Sequence, residues 1–231
     1  MSDESINKLK IIQESLDNFN NINKPNIICV SKTFPISKLD GLIKAGHCHF
    51  GENKVQEAQD KWSEILNTNN DLKIHMIGKL QSNKAKKAVK IFNFIHSLDN
   101  SRLADACKKS EDELNKKISY FIQINIGNEN QKSGLPKKDV KTFLKYCLDE
   151  RKLNIIGLMV IPPNDNNTEK YFAEVSNLND QLGLKDLSMG MSSDYKLALK
   201  YRATYLRIGS AILGPRNFTK WIFLSYYLLK E

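Results

Sequence analysis

The stretch Asn26-Ile27-Ile28-Cys29-Val30-Ser31-Lys32-Thr33-Phe34-Pro35 decides between the two α/β folds that the rest of the chain allows. Asn26–Val30 is a short apolar run of the kind that forms a buried parallel strand. A doubly wound nucleotide-binding fold would follow its first strand with a Gly-x-Gly-x-x-Gly turn. Ser31–Pro35 contains no glycine. The turn therefore favours a (β/α) barrel, in which residues at the strand ends carry the chemistry.

Seven further strand candidates follow the first one, and stretches with helical spacing lie between them. The eight predicted strands are Asn26–Val30, His47–Phe50, Lys73–Ile77, Phe94–Leu98, Ile118–Ile126, Asn154–Ile161, Asp186–Met189 and Thr204–Ile208. Eight strands that alternate with helices within 231 residues predict a single-domain (β/α)8 TIM barrel.

The predicted barrel occupies residues 26–216, between an N-terminal helix and an apolar tail. Residues 1–25 are expected to form a helix that packs on the barrel. Residues 217–231 are rich in aromatic and aliphatic side chains and are expected to be helical. The apolar run Phe218–Leu229 has about twelve residues, too few to span a bilayer. It is interpreted as a helix packed on the barrel or on a partner, with a membrane-surface anchor as the alternative.

Composition is that of an ordinary globular protein, with 41% hydrophobic and 26% charged residues. No apolar run reaches the ~20 residues of a transmembrane helix, and the acidic start Met1–Ser5 lacks the apolar segment of a secretory signal. The four cysteines lie far apart and form no Cys-x-x-Cys pair; they are Cys29, Cys48, Cys107 and Cys147. We expect reduced thiols, no metal site, a monomer and a cytoplasmic location.

The net charge of +9 raises the question of nucleic-acid binding. Arginine, which is best suited to phosphate and guanine contacts, is scarce: it occurs at Arg102, Arg151, Arg202, Arg207 and Arg216. Lysines that can share one helix face are Lys84, Lys86, Lys87 and Lys90. A solvated helix face explains them, so no nucleic-acid partner is expected.

Lys32 is the first candidate for chemistry, because it comes directly after a buried strand. A lysine in such a place is costly unless it has a partner or a function. Desolvation lowers the pKa of an amine, and the neutral amine is the nucleophile that attacks an aldehyde. Lys32 is therefore a candidate for Schiff-base formation.

The ends of strands seven and eight suggest a phosphate site opposite this amine. TIM barrels commonly bind phosphate in these two loops. Gly209 lets the backbone approach a ligand closely, and Ser192 and Ser210 can add hydroxyl donors. Arg207 alternates in phase with Gly209 and is expected to face the barrel mouth. An amine, a phosphate cradle and an arginine together suggest pyridoxal 5′-phosphate (PLP), whose pyridine nitrogen the arginine would keep unprotonated.

The same residues carry a resemblance to the pyridoxal phosphate homeostasis protein family, which spans about residues 26–216. The matching motifs are Val30–Thr33, Phe50–Glu57, His75–Lys84, Ile124-Asn125 with Lys132–Gly134, Gly157–Met159, Ser188–Asp194 and Arg207–Gly214. The resemblance implies an alanine-racemase-like barrel of fold type III PLP proteins, without the C-terminal β-domain of the racemases. It also implies PLP as cofactor, bound as a Schiff base (aldimine) on Lys32.

Site residues follow from the resemblance position by position. Asn53 is implied as a contact beside the cofactor ring and Arg207 as the partner of the pyridine nitrogen. The phosphate cradle is implied at Met191, Ser192, Gly209 and Ser210. Family members are thought to buffer intracellular PLP and deliver it to apo-enzymes, so the protein is expected to be a carrier rather than an enzyme.

An amino-acid racemase of weak activity is the alternative. Racemisation needs two positioned acid/base groups, and in related racemases the second comes from an additional β-domain for which this sequence leaves little room. Other polar residues are interpreted as structural: His47 and His49 as a satisfied pair on one strand face, and His75 as a barrel-interior group or a cofactor contact. Glu52 and Glu57 are expected to pair with Lys54 or Lys61.

Overall fold

A computed structural model describes residues 2–17, 19, 24–129 and 131–215 of the chain. Within them, eight parallel strands close into a barrel in which every strand pairs with its neighbours in sequence and β1 pairs with β8. The strands are β1 Asn26–Val30, β2 His49–Glu52, β3 Lys73–Met76, β4 Phe94–Leu98, β5 Ser119–Ile124, β6 Asn154–Val160, β7 Asp186–Ser188 and β8 Tyr205–Ile208. The predicted (β/α)8 barrel is confirmed.

Helices precede, connect and follow the strands. They are α1 Ser2–Asp17, α2 Asp40–Lys44, α3 Val55–Leu66, α4 Ala85–Ile91, α5 Ser101–Leu114, α6 Val140–Lys145 with a following π-turn Tyr146–Glu150, α7 Thr168–Gln181, α8 Tyr195–Lys200 and α9 Ser210–Leu213. Among the described residues, no helix combines the length and the apolar character that a bilayer crossing requires.

Strand β2 is the clearest difference between the predicted and observed elements. It was predicted at His47–Phe50 and lies at His49–Glu52. Gly46 has a φ of 86° and ends the preceding turn, and the His47 amide still bonds back to the Leu42 carbonyl. The strand therefore begins two residues later and extends to a buried glutamate.

Two apolar layers result from the closed sheet. A large cluster packs between the outer faces of the strands and the helices, and it includes Trp62, Phe92 and Phe172. A separate small cluster inside the barrel consists of Ile28, Phe121, Met159 and Tyr205. Side chains that alternate along each strand thus fill either the interior or the shell.

Helix α1 packs against α2 and α9, and its Leu9, Ile12 and Leu16 join the outer core. The predicted domain limits of 1–25, 26–216 and 217–231 stay predictions. The apolar tail lies outside the described residues.

Closure of the sheet between β6 and β7 depends on the absence of a side chain at Gly157. Gly157 is paired with Asp186, and a Cβ on it would lie 1.9 Å from the Asp186 carbonyl oxygen. We expect Gly157→Ala to lower the free energy of unfolding by about 3 kcal/mol, at the upper end of ordinary overpacking costs. Urea unfolding measures this loss.

A matched control is Gly46→Ala, where nothing lies within 4 Å of the added Cβ. Only the positive φ of Gly46 is then unfavourable, at about 1 kcal/mol. Equal losses in the two variants would show that the close approach at Gly157 is unimportant.

Candidate functional site

A cavity of about 570 Å³ opens at the C-terminal ends of the strands. All seven residues predicted for the site line it: Lys32, Asn53, Met191, Ser192, Arg207, Gly209 and Ser210. Further walls that the sequence analysis did not single out are Val30, Phe34, Ile77, Ile161, Ser193 and Gly214. Val30 ends β1, and Ile77 and Ile161 directly follow β3 and β6, which is the signal that could have identified these three.

The turn after β1 brings Lys32 to the cavity, and contacts on both sides fix this turn. Before it, the Ser31 hydroxyl donates to Glu52 Oε1 at 2.7 Å. After it, Thr33 adopts a left-handed φ of 69°, uncommon for a β-branched residue, and its amide donates to the Glu57 carboxylate. Such backbone strain persists only where the surrounding structure holds it. The chain around Lys32 is therefore preorganised.

A buried ion pair lies behind the turn. Glu52 is 0% exposed, and its Oε1 accepts from Lys61 Nζ at 2.8 Å and from Trp62 Nε1 at 3.1 Å. Lys61 also donates to the Ser31 carbonyl at 2.9 Å. Burial raises the pKa of Glu52, and the ammonium of Lys61 opposes that rise. The cluster joins the ends of β1 and β2, from which Asn53 follows into the cavity wall.

Arg207 reaches the cavity from β8 and is only 4% exposed. Its Nη1 donates to Ser188 Oγ at 2.7 Å and its Nη2 to the Val160 carbonyl at 2.8 Å. Burial lowers the pKa of Arg207 to about 10, so the guanidinium stays charged at neutral pH. Among the described residues, the arginine ion pairs are those of Arg151 and Arg202. Arg207 is not in an ion pair with any described carboxylate, although the negative charge of Asp194 opposes the fall of its pKa. A buried cation bonded to neutral acceptors favours a ligand that offers a further acceptor.

The loops after β7 and β8 meet at Ser192. Its Oγ accepts from the backbone amides of Gly209 and Ala211, both at 3.3 Å. These bonds are longer than the usual 2.9–3.0 Å. Asp194 accepts from the Met191 amide at 2.5 Å and closes the loop after β7. These bonds hold the two loops together, and Ser192, Gly209 and Ser210 lie side by side on the cavity wall.

Each of the four histidines makes a hydrogen bond to another protein group. His47 lies before β2, so it does not share a strand face with His49 as predicted; its Nε2 donates to the His49 carbonyl at 2.9 Å. The ring of His49 is bonded through Nδ1 to His75 Nε2 at 2.9 Å. His75 is fully buried inside the barrel. In the part of the chain that the structure describes, no three His, Cys, Asp or Glu side chains converge as metal ligands would.

Burial of these histidines predicts a loss of stability in acid. Burial lowers the pKa of His47 to about 4, against about 6.5 in the unfolded chain. Between pH 6.5 and 4 the unfolded state therefore binds a proton that the folded state does not, and stability falls as the pH falls. His47→Gln keeps a donor for the His49 carbonyl and removes this titration. We expect the variant to reduce the slope of stability against pH by up to about 1.4 kcal/mol per pH unit between pH 6 and the folded pKa of about 4.

Urea unfolding at pH 7.5, 6.0 and 5.0 measures this difference. Burial raises the pKa values of Glu52, Glu111 and Asp186, and these groups act in the opposite direction in both proteins. The comparison of wild type with variant removes their contribution. Parallel curves for the two proteins would contradict the prediction.

Similarity to known proteins agrees with this architecture. A family model described as the alanine racemase N-terminal domain matches residues 15–217 of the chain. The alanine racemase of Bartonella henselae superposes with a TM-score of 0.73 and 15% identity, over 94% of this chain and 61% of that one. At such low identity the likeness shows the fold alone.

Other relatives match over nearly their whole length. A pyridoxal phosphate homeostasis protein of Haemophilus influenzae is 34% identical over 226 residues, which cover 91% of this chain and 95% of that protein. The structure of PipY from Synechococcus elongatus PCC7942, solved with PLP bound, has 34% identity and a TM-score of 0.82, over 91% of this chain and 100% of that one. The chain therefore belongs to the pyridoxal phosphate homeostasis protein family.

Proposed function

We propose that the protein binds PLP at the barrel mouth, holds it as a Schiff base on Lys32 and supplies it to PLP-dependent apo-enzymes. One observation carries the proposal: a single cavity of about 570 Å³ is lined by the amine of Lys32, the buried guanidinium of Arg207 and the adjoining loops after β7 and β8 with Ser192, Gly209 and Ser210. Its volume lies in the range of ordinary small-molecule sites. Relatives named for pyridoxal phosphate homeostasis, and PipY with PLP bound, support the same ligand.

The donor set fits PLP group by group. When bound, the cofactor supplies an aldehyde that reacts reversibly with amines. Lys32 Nζ would form a carbon–nitrogen double bond with the aldehyde carbon in place of its carbon–oxygen bond. The aldehyde oxygen would leave as water with two hydrogens from the ammonium group, while the third is retained or released to solvent. The charged Arg207 can only donate, which suits the acceptor nitrogen of the pyridine ring. The proposed ring contact is Asn53, and the proposed phosphate contacts are Met191, Ser192, Gly209 and Ser210.

A carrier is better supported than a racemase by the chemistry of the cavity wall. Racemisation needs one acid/base group on each face of the substrate. Among the described residues that line the cavity, Lys32 and Arg207 are those with titratable side chains, and a charged guanidinium is a poor base. Arg207 beside the pyridine nitrogen would also keep that nitrogen unprotonated, which weakens the ring as an electron sink. We therefore infer binding and release without catalytic turnover.

The proposed recipients are PLP-dependent apo-enzymes in the cytoplasm. Free thiols at Cys29, Cys48, Cys107 and Cys147 support a reducing compartment. The expected monomeric state stays a prediction.

Transfer of the cofactor in the presence of a phosphatase that destroys free PLP tests the function. PLP-loaded protein, freed of unbound cofactor, is mixed with an apo-enzyme that requires PLP, while the phosphatase is active. A carrier restores enzyme activity under conditions in which an equal amount of free PLP does not. Activation no greater than with free PLP would contradict the proposal. Exchange of the α-proton of alanine at enzyme-like rates would favour the racemase.

A further inference from the structure

A chain of hydrogen bonds crosses the inside of the barrel and ends at Arg207. His49 Nδ1 lies 2.9 Å from His75 Nε2, and His75 Nδ1 lies 2.9 Å from His96 Nε2. His96 Nδ1 then lies 2.8 Å from Ser188 Oγ, which accepts from Arg207 Nη1 at 2.7 Å. The half-buried His49 begins β2, at the barrel end opposite the cavity. The three histidines thus connect the two ends of the barrel.

The arginine fixes the direction of every bond in this chain. A guanidinium only donates, so Ser188 Oγ accepts from Arg207 and has one hydrogen left to donate to His96 Nδ1. A neutral imidazole that accepts at Nδ1 carries its hydrogen on Nε2, and His96 therefore donates to His75. By the same step His75 donates to His49. This direction requires that all three rings are neutral and carry their hydrogen on Nε2.

A hydrogen bond in the opposite direction, from His96 to Ser188, is unfavourable. If His96 Nδ1 donated, Ser188 Oγ would accept twice and its own hydrogen would have no acceptor in a fully buried place, which is costly. A positively charged His96 is also opposed, because burial and the nearby Arg207 charge hold the pKa of His96 well below its usual range. His96 stacks on Phe121 at 4.3 Å between centroids, which keeps its ring in position.

We propose that His96 is a positioning residue for Arg207, and that His75 and His49 hold His96 in the tautomer this requires. His96 Nδ1 accepts a hydrogen bond from the Ser188 hydroxyl, so that the hydroxyl oxygen can accept from the guanidinium of Arg207. The bonds to Ser188 Oγ and to the Val160 carbonyl together hold the guanidinium plane of Arg207 in position at the cavity. The inference rests on the proposed function, in which Arg207 faces the pyridine nitrogen.

Nitrogen-15 NMR of the full chain without PLP tests the direction of the bonds. The expected result at pH 7 is that the side chains of His49, His75 and His96 are neutral and carry hydrogen on Nε2. A hydrogen on Nδ1 of His96, or a charged His96, would overturn the proposal. This measurement does not involve PLP, so its outcome is independent of the proposed function.

Variants of His96 test the positioning. His96→Asn offers an amide oxygen near the place of Nδ1, whereas His96→Phe keeps the ring volume and removes the acceptor. We expect His96→Phe to weaken PLP binding about tenfold, as for loss of a bond in a charged network, and to shift the pH midpoint of the visible absorbance band. His96→Asn should stay within about threefold of wild type. His47 is partly buried and does not belong to the row of hydrogen-bonded histidines. His47→Phe is therefore the control for the loss of a histidine elsewhere, and it should leave the midpoint unchanged.

Ser188→Ala keeps the proposal testable should His96→Phe not fold. It removes the acceptor of Arg207 Nη1, leaves the bond from Nη2 to the Val160 carbonyl, and is expected to give the same weakening and the same shift. An unchanged affinity and midpoint in either folded variant would overturn the positioning role. If the wild type itself binds no PLP, the proposed function fails. The NMR result still decides the direction of the hydrogen bonds between the histidines.

Discussion

Lys32→Ala is expected to abolish the visible absorbance band of the PLP-loaded protein, which general cofactor chemistry places at about 420 nm. Without the amine no carbon–nitrogen double bond can form, and PLP would remain held by the phosphate and pyridine contacts alone. We expect its affinity to fall about a hundredfold or more, which corresponds to a loss of about 2.8 kcal/mol or more. Absorbance after desalting and equilibrium titration with PLP measure the two effects.

The matched control is Lys79→Ala, which removes an exposed lysine at the same end of the barrel. This variant should keep the band and the affinity of the wild type. Thermal unfolding establishes that both variants are folded. Persistence of the band in folded Lys32→Ala would show that another amine holds the cofactor.

Lys61→Met is expected to lower the free energy of unfolding by about 3–5 kcal/mol, the usual cost of leaving a buried carboxylate without its partner. Glu52 loses the ammonium at 2.8 Å, and the Ser31 carbonyl loses a donor at 2.9 Å. The pKa of Glu52, already raised by burial, should rise further. Because protonation neutralises the buried group, the loss should shrink as the pH falls toward 5. Urea unfolding at pH 7.5 and 5.0 measures it.

Two further variants separate the buried charge from lost packing. Glu57→Gln removes a partly exposed partner of Lys61 and should cost about 1 kcal/mol or less. Adding Glu52→Gln to Lys61→Met removes the unpaired charge and should recover a large part of the loss. If the double variant is no more stable than Lys61→Met, lost packing explains the effect and the account of the ion pair is wrong.

The barrel itself could be predicted from the sequence, because buried parallel strands are continuous apolar runs that are easily recognised. Asn26–Val30 and Phe94–Leu98 agree with the observed strands at both ends. The end of β2 could not be predicted in this way, because Gly51 and Glu52 are poor strand formers. Glu52 is tolerated in a buried strand only because Lys61, Trp62 and Ser31 meet it there.

Pairing of the acidic residues illustrates the same limit. Glu52 and Glu57 were expected to pair with Lys54 or Lys61, and both pair with Lys61. Helical spacing accounts for Glu57, four residues away on α3. It does not account for Glu52, which lies in a strand and meets Lys61 through the packing of α3 on the barrel.

The histidine chain could not be foreseen, because its members lie on three strands and meet only through the register of the closed sheet. Gly51 pairs with His75, and His75 pairs with Phe94, two residues before His96. The available signal was the presence of histidine in β2, β3 and β4, because a polar group in a buried strand needs a partner. His96 was not singled out from this signal. That the predicted site residues converge was easier to predict, because the C-terminal ends of all strands in a parallel barrel lie at one face.

Borohydride reduction of the PLP-loaded protein, followed by mass spectrometry of its peptides, tests the central claim most directly. Reduction converts the carbon–nitrogen double bond into a stable single bond and marks the lysine that carried the cofactor. We predict one pyridoxyl phosphate group per chain, on the peptide that contains Lys32. Modification of a different lysine, or no modification of a protein that retains PLP, would contradict the account.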